Sequence, residues 1–391
     1  MRLMILSVSG RLGGAERVLV DVVAVTRQRH PDWPVAILSV EDGPLRQAVE
    51  ALGADFDVVT LPKVLAETGE FGRGRLLTLV RLVAAAPGLF GYTRTLGRHI
   101  ERWRPDVLLA NGLKAQIVSS WVRGKARLVW HVHDYLTTRP VSAALFRRFA
   151  GRASVIVVNS KSVAADIRAV LGEAGRVEVL YNAVDDTRFS PEGPTIDLDQ
   201  AAGLSPAPAG TIRVGLVATY ARWKGHEVFL QAMARLDASR PVRGYVVGGP
   251  VYQIGASQWS RDELAARVSA LGLDGRVGLV GFQQDTAPVY RALDVVVHAS
   301  TAPEPFGLVI AEAMTCGRAV VVSAAGGAIE VAGDDGALSH APGDVAGLAL
   351  RLEQLVSSPE LRHQLGARAH AAATDRFSRE RFARGLDDVL A

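Results

Sequence analysis

The stretch VVVHASTAPEPFGLVIAEAMTCG, residues 295–317, decides the fold of this chain. It begins with a short valine-rich run, residues 295–298, of the kind that forms a buried parallel strand. A proline-containing loop follows, and from Leu308 onward the apolar spacing predicts a helix. A buried strand followed directly by a helix is one unit of a doubly wound α/β sheet.

The same strand and helix unit recurs along the whole chain. In the first half, valine- and leucine-rich strands are predicted at residues 3–8, 35–40, 107–110, 128–131 and 155–158. In the second half they are predicted at residues 212–218, 242–247, 277–280, 295–298 and 319–322. This alternation predicts the α/β class, with two Rossmann-like doubly wound domains. Because ligands bind beyond the carboxyl ends of such strands, we expect the domains to face each other across a cleft.

The length of the chain also favours two domains, since 391 residues exceed what a single hydrophobic core usually holds. Residues 189–210 concentrate Pro, Gly and Ala without periodicity and predict a linker. It separates an N-terminal domain over residues 1–188 from a C-terminal domain over residues 211–375. A terminal helix is predicted over residues 376–391, with Ser378 as its N-cap, and is expected to dock back on the N-terminal domain.

The composition, 49% hydrophobic and 21% charged, is that of a soluble globular protein, neither disordered nor membrane-spanning. A net charge of +4 predicts no nucleic-acid partner, and it fits an anionic substrate and a solvated basic surface equally well. Residues 3–8 are too short for the core of a signal peptide. Cys316 has no second cysteine to pair with, so we expect a reducing compartment, the cytoplasm.

The loop and helix after residue 298 carry the strongest chemical signal. Backbone N–H groups at Gly307, Leu308 and Val309, with the positive end of the helix dipole, predict a site for a diphosphate. Glu312 lies about 7 Å further along the helix axis, within reach of a ribose on the same nucleotide. Glu304 then faces the opposite side, toward a sugar. Acidic residues also favour the first turns of helices without any ligand, so neither glutamate alone would be informative.

Residues 304–312 resemble the Glu-x7-Glu signature of family 4 glycosyltransferases, which are retaining enzymes with the GT-B fold. The resemblance covers nearly the whole chain. It implies that Glu304 contacts the donor sugar and Glu312 the ribose, and Phe306 in the intervening turn is included in the donor site. It also implies a nucleotide diphosphate sugar, UDP- or GDP-linked, as co-substrate, with no cofactor and no metal. The acceptor is expected to be a small molecule, a glycan or a lipid-linked compound.

The segment VATYARWKGHE, residues 217–227, adds two basic side chains after the first strand of the second domain. Arg222 can bind a diphosphate bidentately and Lys224 can act as a point charge, so both are predicted to stabilise the leaving group. Family members usually carry an arginine five positions before this lysine, where this chain has Thr219. For Arg222 an exposed loop arginine is an equally good explanation.

The segment SGRLGGAER places Gly13 and Gly14 where the first strand gives way to a helix. Glycine permits close approach of a ligand to the backbone, but the spacing is not G-x-G-x-x-G and predicts no dinucleotide cofactor. In the resembling family this loop borders the phosphates and the acceptor. A tight turn without a ligand is the alternative.

The run LVWHVHDYL places His131 and His133 on one face of a strand end. No further cysteine or carboxylate at ligand spacing completes a metal site. The family resemblance implies that His133 lies against the donor sugar as a catalytic residue, and a hydrogen-bonded histidine at a strand end is the alternative. His131 is predicted to be structural.

Four further features are weaker. Phe282 follows the strand at residues 277–280 and is predicted to help hold the base, although an aromatic residue there is usually core. Gly326 and Gly327 match the family pattern and could approach the donor, whereas Glu330 is assigned to a helix end. The segment VEVLYNAVDDTRF also matches, with alanine instead of the usual glycine after its asparagine. An Asp-x-Asp triplet at residues 197–199 would suit a metal-dependent inverting transferase, but it lies in the predicted linker rather than at a strand end.

Residues 73–104 are rich in arginine and interleaved with apolar residues. The arginines are Arg73, Arg75, Arg81, Arg94, Arg98, Arg102 and Arg104. Such a surface can lie on anionic lipid, although a solvated helix face is more common.

Taken together, the motifs predict a retaining glycosyltransferase. The alternatives are a nucleotide-sugar epimerase and a non-catalytic nucleotide-sugar-binding protein. The sequence leaves the oligomeric state open.

Overall fold

The computed structural model describes residues 1–61, 86–122, 124–172, 175–250, 257–334 and 336–391. These residues form two compact units. The first comprises Met1–Ala183 and Arg379–Ala391, and the second comprises Val184–Ser378. In each unit helices alternate with the strands of one parallel sheet, which confirms the predicted α/β class.

The first unit is built on a parallel sheet. Its described strands are β1 (Leu3–Ser7), β2 (Val35–Ser39), β3 (Asp55–Val58), β4 (Val107–Asn111), β5 (Arg127–Val132), β6 (Val155–Val158) and β7 (Val177–Val179). Their spatial order is β3-β2-β1-β4-β5-β6-β7. The helices that connect them include α1 (Gly14–Arg29), α2 (Pro44–Glu50), α3 (Ala86–Trp103), α4 (Leu113–Ser119), α5 (Pro140–Phe149) and α6 (Lys161–Leu171). The strand order reverses between β1 and β4, which is where such sheets bind ligands.

The second unit repeats this plan. Its described strands are β8 (Ile212–Val217), β9 (Val242–Val247), β10 (Val277–Val280), β11 (Val295–His298), β12 (Ala319–Ser323) and β13 (Leu338–His340), in the order β10-β9-β8-β11-β12-β13. Its described helices are α7 (Leu198–Ala202), α8 (His226–Arg235), α9 (Arg261–Ala270), α10 (Ala287–Ala292), α11 (Leu308–Thr315), α12 (Gly327–Ala332), α13 (Val345–Ser357) and α14 (Pro359–Phe377). The strand order reverses between β8 and β11, so the loops after these two strands form the expected ligand edge.

The central strands coincide with the predicted ones, and the structure adds β3, β7 and β13, each at or beside the rim of a sheet. β3 alternates exposed and half-buried residues, and all three residues of β7 are half-buried. Strands covered on both faces appear as continuous apolar runs, whereas these outer strands are too short and too polar to give that pattern.

The segment predicted as a linker, residues 189–210, belongs to the second unit and contains helix α7. The Asp197 side chain caps this helix by accepting a hydrogen bond from Gln200 N at 3.0 Å. Asp199 Oδ1 lies 2.6 Å from both Arg243 Nη1 and Tyr245 Oη on β9. Both carboxylates of the Asp-x-Asp triplet therefore have structural partners.

The terminal helix, α15 (Arg379–Leu390), packs with the first unit. Arg379 Nη2 lies 2.7 Å from Asp21 Oδ1 on α1, and Arg29 Nε lies 2.8 Å from Asp387 Oδ2. Ser378 is the extended residue between α14 and α15, so the helix begins directly after the residue predicted as its N-cap, and residues 376 and 377 belong to α14. Its buried apolar face is formed by Phe382, Ala383, Leu386, Val389 and Leu390.

The predicted basic region, residues 73–104, lies partly outside the described residues, since Arg73, Arg75 and Arg81 fall there. Its described part is largely helix α3, on which Phe90 is 63% exposed and the Arg94 guanidinium lies 5.4 Å from the Phe90 ring. Across the described segments, we find no helix with the length and apolar character that crossing a bilayer requires. Contact of α3 with a membrane surface stays a prediction.

Candidate functional site

Two of the predicted site residues meet at the ligand edge of the second sheet. Lys224 Nζ lies 2.7 Å from Glu304 Oε2, and both side chains are largely buried. Lys224 ends a short 3-10 turn, Arg222–Lys224, after β8, and Glu304 lies in the loop between β11 and α11. Because β8 and β11 are neighbours where the strand order reverses, their loops converge although the two residues are 80 positions apart.

The backbone holds these two loops together. Gly225 has φ +78°, and a Cβ at this position would lie 1.8 Å from the carbonyl oxygen of Ala299. Thr301 N donates a hydrogen bond to the carbonyl oxygen of Trp223 at 2.7 Å. The turn that carries Lys224 is therefore fixed directly on the loop that carries Glu304, and only glycine fits at position 225.

Two residues that were not predicted as site residues complete the surroundings of Glu304. His298 Nε2 and Ser300 Oγ each lie 3.1 Å from Glu304 Oε2, and they lie 2.9 Å from each other. Lys224, His298 and Ser300 therefore converge on one carboxylate oxygen. The sequence signal for His298 was its place at the carboxyl end of a predicted strand, where polar residues face ligands in this type of sheet.

The Lys224–Glu304 pair is ionic. Burial by itself raises the pKa of Glu304, but the Lys224 charge and the hydrogen bond from His298 outweigh burial and hold this pKa below its usual range. Glu304 is thus a carboxylate at neutral pH, and its charge balances that of Lys224. A polyanionic ligand at this edge would offer Lys224 a second negative partner.

The glycine loop before α12 also contacts the Glu304 loop. Gly327 N donates to the carbonyl oxygen of Glu304 at 2.7 Å. A Cβ at Gly327 would lie 2.3 Å from the carbonyl oxygen of Pro305. The predicted Gly326–Gly327 pair therefore supports the conformation of the Glu304 loop through close backbone packing.

The start of α11 has the geometry of an anion site. Gly307 precedes the helix with φ +101°, a conformation that side chains rarely adopt, and Leu308 and Val309 form the first turn. The N–H of Ile310 bonds to the Gly307 carbonyl at 2.9 Å, whereas N–H groups earlier in a helix start have no intrahelical acceptor. These groups and the helix dipole favour an anionic ligand.

Phe306 differs from its predicted role. Its side chain is 2% exposed and packs edge-on against Phe377, with ring centroids 5.5 Å apart. The ring therefore belongs to the core, because an aromatic side chain in a turn gains most free energy by burial. Only the backbone of Phe306 is suited to contact a donor.

Glu312 is held by a tyrosine that the sequence did not single out. Tyr290 Oη donates to Glu312 Oε2 at 2.8 Å, and both side chains are buried. Tyr290 lies on α10, 22 positions earlier, and looks like an ordinary core aromatic in the sequence. The hydrogen bond orients the carboxylate that is predicted to contact a ribose.

Arg222 does not join Lys224 at Glu304 in the described contacts. Its Nη2 lies 2.8 Å from Glu263 Oε1, and its guanidinium carbon lies 3.9 Å from the centroid of the Trp259 ring. The arginine is thus engaged by an exposed carboxylate and an aromatic face. These contacts favour the alternative of a loop arginine, and a diphosphate role stays a prediction.

Phe282 lies beside the loop that follows β9. Its side chain is 61% exposed, so Phe282 is not a core aromatic residue, which was the alternative to its predicted role beside the base. A Cβ on Gly249 would lie 3.3 Å from Phe282 Cβ. The ring therefore forms an apolar surface near the carboxyl ends of β9 and β10, and its contact with a base stays a prediction.

In the first unit, the predicted His133 lies at the carboxyl end of β5. Its Nε2 lies 2.6 Å from Asn111 Oδ1 at the end of β4, and the rings of His131 and His133 are 4.1 Å apart. Burial lowers the pKa of His133 to about 4 and also lowers that of His131. Both imidazoles are neutral at pH 7, and Asn111 is a site residue that the sequence did not single out.

The glycine loop after β1 has its tightest contact at a position that was not predicted. A Cβ at Gly10 would lie 2.6 Å from the carbonyl oxygen of Asp42, whereas a Cβ at Gly14 would meet no atom within 4 Å. Gly13 precedes α1 with φ −80°, which any residue adopts. Only glycine therefore fits at position 10 without a steric clash, whereas the open space beside Gly14 leaves room for a ligand.

No group of three His, Cys, Asp or Glu in the described ranges is arranged to hold a metal ion.

Comparisons with known proteins agree with this geometry. The model of Glycosyltransferase Family 4 matches residues 12–188, and the model of Glycosyl transferases group 1 matches residues 205–372. The lipopolysaccharide core biosynthesis glycosyltransferase LpsE of Rhizobium meliloti is 29% identical over 280 residues, which cover 71% of this chain and 74% of that protein. A D-inositol 3-phosphate glycosyltransferase of Mycobacterium sp. is 32% identical over 238 residues, 60% of this chain and only 52% of the relative.

Among solved structures, HepE of Anabaena in complex with UDP-glucose superposes with a TM-score of 0.80 at 27% identity. The superposition covers 100% of this chain and 99% of HepE. The two units described above therefore occur together in a protein of nearly the same extent.

Proposed function

The chain belongs to family 4 of the glycosyltransferases, and we propose that it transfers a hexose-type sugar from a nucleotide diphosphate sugar to an acceptor hydroxyl or amine, with retention of configuration. The observation that carries this proposal is the Lys224–Glu304 ion pair at the ligand edge of the second sheet, 2.7 Å in length. It lies in the same loop and helix unit as the anion-binding start of α11.

The leaving diphosphate would be stabilised by fixed positive charge. Lys224 provides a full charge, and the start of α11 at Leu308 provides backbone N–H groups with a partial charge. Such preorganised donors are worth several kcal/mol in a transition state that develops negative charge. With this charge supplied by the protein, the proposed reaction needs no metal.

We propose retention of configuration because the family resemblance implies it, and the state of Glu304 bears only on how retention would be achieved. Lys224, His298 and Ser300 converge on one of its oxygens, and the low pKa of the carboxyl makes it a weak nucleophile. We therefore propose front-side attack by the acceptor. The bond between the anomeric carbon and the diphosphate oxygen breaks, the acceptor oxygen bonds to that carbon, and the acceptor proton passes to the departing phosphate.

We propose a UDP-sugar as the donor, with a GDP-sugar as the alternative. HepE, at 27–28% identity, has been crystallised with UDP, with UDP and glucose, and with UDP-glucose. In this chain the Tyr290–Glu312 pair would bind the ribose, and Phe282 would cover the base. The acceptor remains the broad class expected from sequence: a small molecule, a glycan or a lipid-linked compound.

The proposal is tested by incubating the protein with a panel of UDP-, GDP- and dTDP-sugars, with and without EDTA. We expect slow release of free sugar from one UDP-sugar and faster release or transfer with an acceptor, unchanged by EDTA. NMR of the freshly released sugar reports the anomeric configuration. An epimerised but intact donor would identify an epimerase, and binding without turnover would identify a non-catalytic relative.

A further inference from the structure

The carboxyl ends of β4 and β5 in the first unit carry a chain of hydrogen bonds that ends at His133. Asn111 Nδ2 donates to the carbonyl oxygen of Ala15 at 3.3 Å. On its other side, Asn111 Oδ1 lies 2.6 Å from His133 Nε2. Asn111 is 1% exposed, so this link between α1, β4 and β5 is closed to solvent at the amide.

The chemistry of these groups determines where the hydrogens lie. The Ala15 carbonyl can only accept a hydrogen bond, so the side-chain NH₂ of Asn111 must face it. Its carbonyl oxygen Oδ1 then faces His133, and since this oxygen can only accept, His133 Nε2 must carry a hydrogen. The other ring nitrogen, Nδ1, carries a lone pair whenever the imidazole is neutral.

The surroundings keep the imidazole neutral near pH 7. Burial lowers the pKa of His133 to about 4, and the neighbouring His131 ring is neutral for the same reason. On the converging elements, burial raises the pKa of Glu16 at the start of α1 and lowers that of Lys114 at the start of α4. Asp134, the next residue after His133, forms an ion pair with Arg139.

We propose that Asn111 is a positioning residue that holds His133 as the Nε2–H tautomer, so that His133 Nδ1 accepts a hydrogen bond from a substrate hydroxyl. The proposal rests on the proposed function for the presence of that substrate, but the tautomer itself does not depend on it. A nitrogen with a lone pair accepts a hydrogen bond from a hydroxyl or amine group. It forms no hydrogen bond with an ether oxygen or at a deoxy position. Asn111 therefore acts on substrate choice through His133 without touching the substrate.

The tautomer is tested on the wild-type chain by ¹⁵N NMR with labelled histidine, with the His133 signals assigned through His133→Gln. Between about pH 5.5 and 8 we expect a protonated Nε2 and an unprotonated Nδ1, with no titration. An Nδ1–H tautomer or an imidazolium in this range would overturn the proposal. Because no turnover is needed, an inactive protein with the expected tautomer would disprove the proposed function alone.

The positioning role is tested with Asn111→Asp, compared with Asn111→Ala. The aspartate carboxylate would stabilise the imidazolium and turn Nδ1 into a donor, so kcat/KM should fall roughly tenfold at low pH and recover as pH rises through the new pKa. Asn111→Ala should lower kcat/KM without adding that titration, since it removes the tautomer constraint but adds no charge. If Asn111→Asp keeps the wild-type pH profile and the wild-type ¹⁵N shifts, Asn111 does not position His133.

Discussion

The two sheets share their strand order over six strands, yet the polar groups at their carboxyl edges carry opposite chemistry. Between β8 and β11, buried Glu304 is ionised because Lys224 lies 2.7 Å away. At the ends of β4 and β5, half-buried His133 is neutral because desolvation lowers its pKa to about 4 and its partner, Asn111, carries no charge to offset this. Burial disfavours charge in both places, and only a charged partner reverses its effect.

This difference indicates what each edge can bind. An ionic pair beside a helix start suits a polyanion, since the positive groups are already in place and the carboxylate orients them. A neutral imidazole and an amide suit the hydroxyl groups of an uncharged sugar or acceptor. Under the proposed function, the edge of the second unit would bind the leaving group, and the edge of the first unit would bind a hydroxyl group.

The largest effect is expected from removing the charge at position 224. Lys224→Ala should lower kcat/KM by about 10²- to 10³-fold, because a preorganised cation on the leaving diphosphate is lost. Lys224→Arg keeps the charge but changes its geometry, so it should lower kcat/KM less than Lys224→Ala does. Steady-state kinetics with the active UDP-sugar measure both variants. If both variants lowered kcat/KM equally, the positive charge at position 224 would not be the cause of the effect.

The neutral edge should be visible in the pH dependence of stability. The pKa of His133 falls from its ordinary 6.5 to about 4 on folding, so the unfolded chain binds the proton first as pH decreases. The contribution of His133 to the free energy of unfolding is therefore present above about pH 6.5. It is lost as the pH falls toward 4, at about 1.4 kcal/mol per pH unit for one proton.

Urea unfolding of the wild type and His133→Gln at pH 7 and pH 5 measures this slope. The variant should lose less stability than the wild type over that interval. A slope that is the same in both proteins would mean that His133 is not held neutral. His226, also buried with its pKa lowered to about 4, provides a matched variant in the second unit, His226→Gln.

A smaller effect is expected from His298, which acts through Glu304. His298→Gln should lower kcat/KM about tenfold, corresponding to about 1.5 kcal/mol, the low end for a hydrogen bond to a charged group. The pKa of Glu304 should rise, because one of the groups that stabilise the carboxylate is lost, but Lys224 keeps Glu304 ionised, so the loss should not depend on pH near neutrality. Ser300→Ala serves as the paired variant with an intact imidazole. Wild-type kcat/KM in both variants would contradict the positioning of Glu304 by these residues.

The smallest effect is expected at Arg222. The side chains of its ion pair with Glu263 are 39% and 47% exposed, and exposed ion pairs contribute little. Arg222→Ala should therefore change kcat/KM less than threefold while Lys224→Ala abolishes most of it. A loss at Arg222 comparable to that at Lys224 would restore the predicted diphosphate role and show that the loop rearranges on donor binding.

Local sequence patterns predicted the fold class and the family. Valine-rich runs identified the central strands of both sheets, and the strand, turn and helix at residues 295–317 predicted an anion site, which stays a prediction. The resemblance to family 4 glycosyltransferases, carried by residues 304–312, is confirmed by the family models. Local patterns suffice here because a buried strand and a helix start leave their signature in consecutive residues.

The pairing of distant residues could not be predicted in this way. Glu312 was recognised but Tyr290 was not, because a tyrosine in a helix gives the same pattern whether its hydroxyl is used or not. Phe306 was assigned to the donor site, but tertiary packing against Phe377 places it in the core. Residues 189–210 appeared to be a linker because their buried contacts, such as Asp199 with Tyr245, lie far away in sequence.

By itself, then, the sequence determined the α/β class and the family, and it predicted individual residues for binding a nucleotide diphosphate sugar. Only the tertiary structure decided that Lys224 is paired with Glu304, that His298 and Ser300 hold the same carboxylate, and that Asn111 orients His133. The physical reason is that strand order decides which loops meet at a sheet edge. A residue's charge state then depends on which neighbour that order brings within hydrogen-bonding distance.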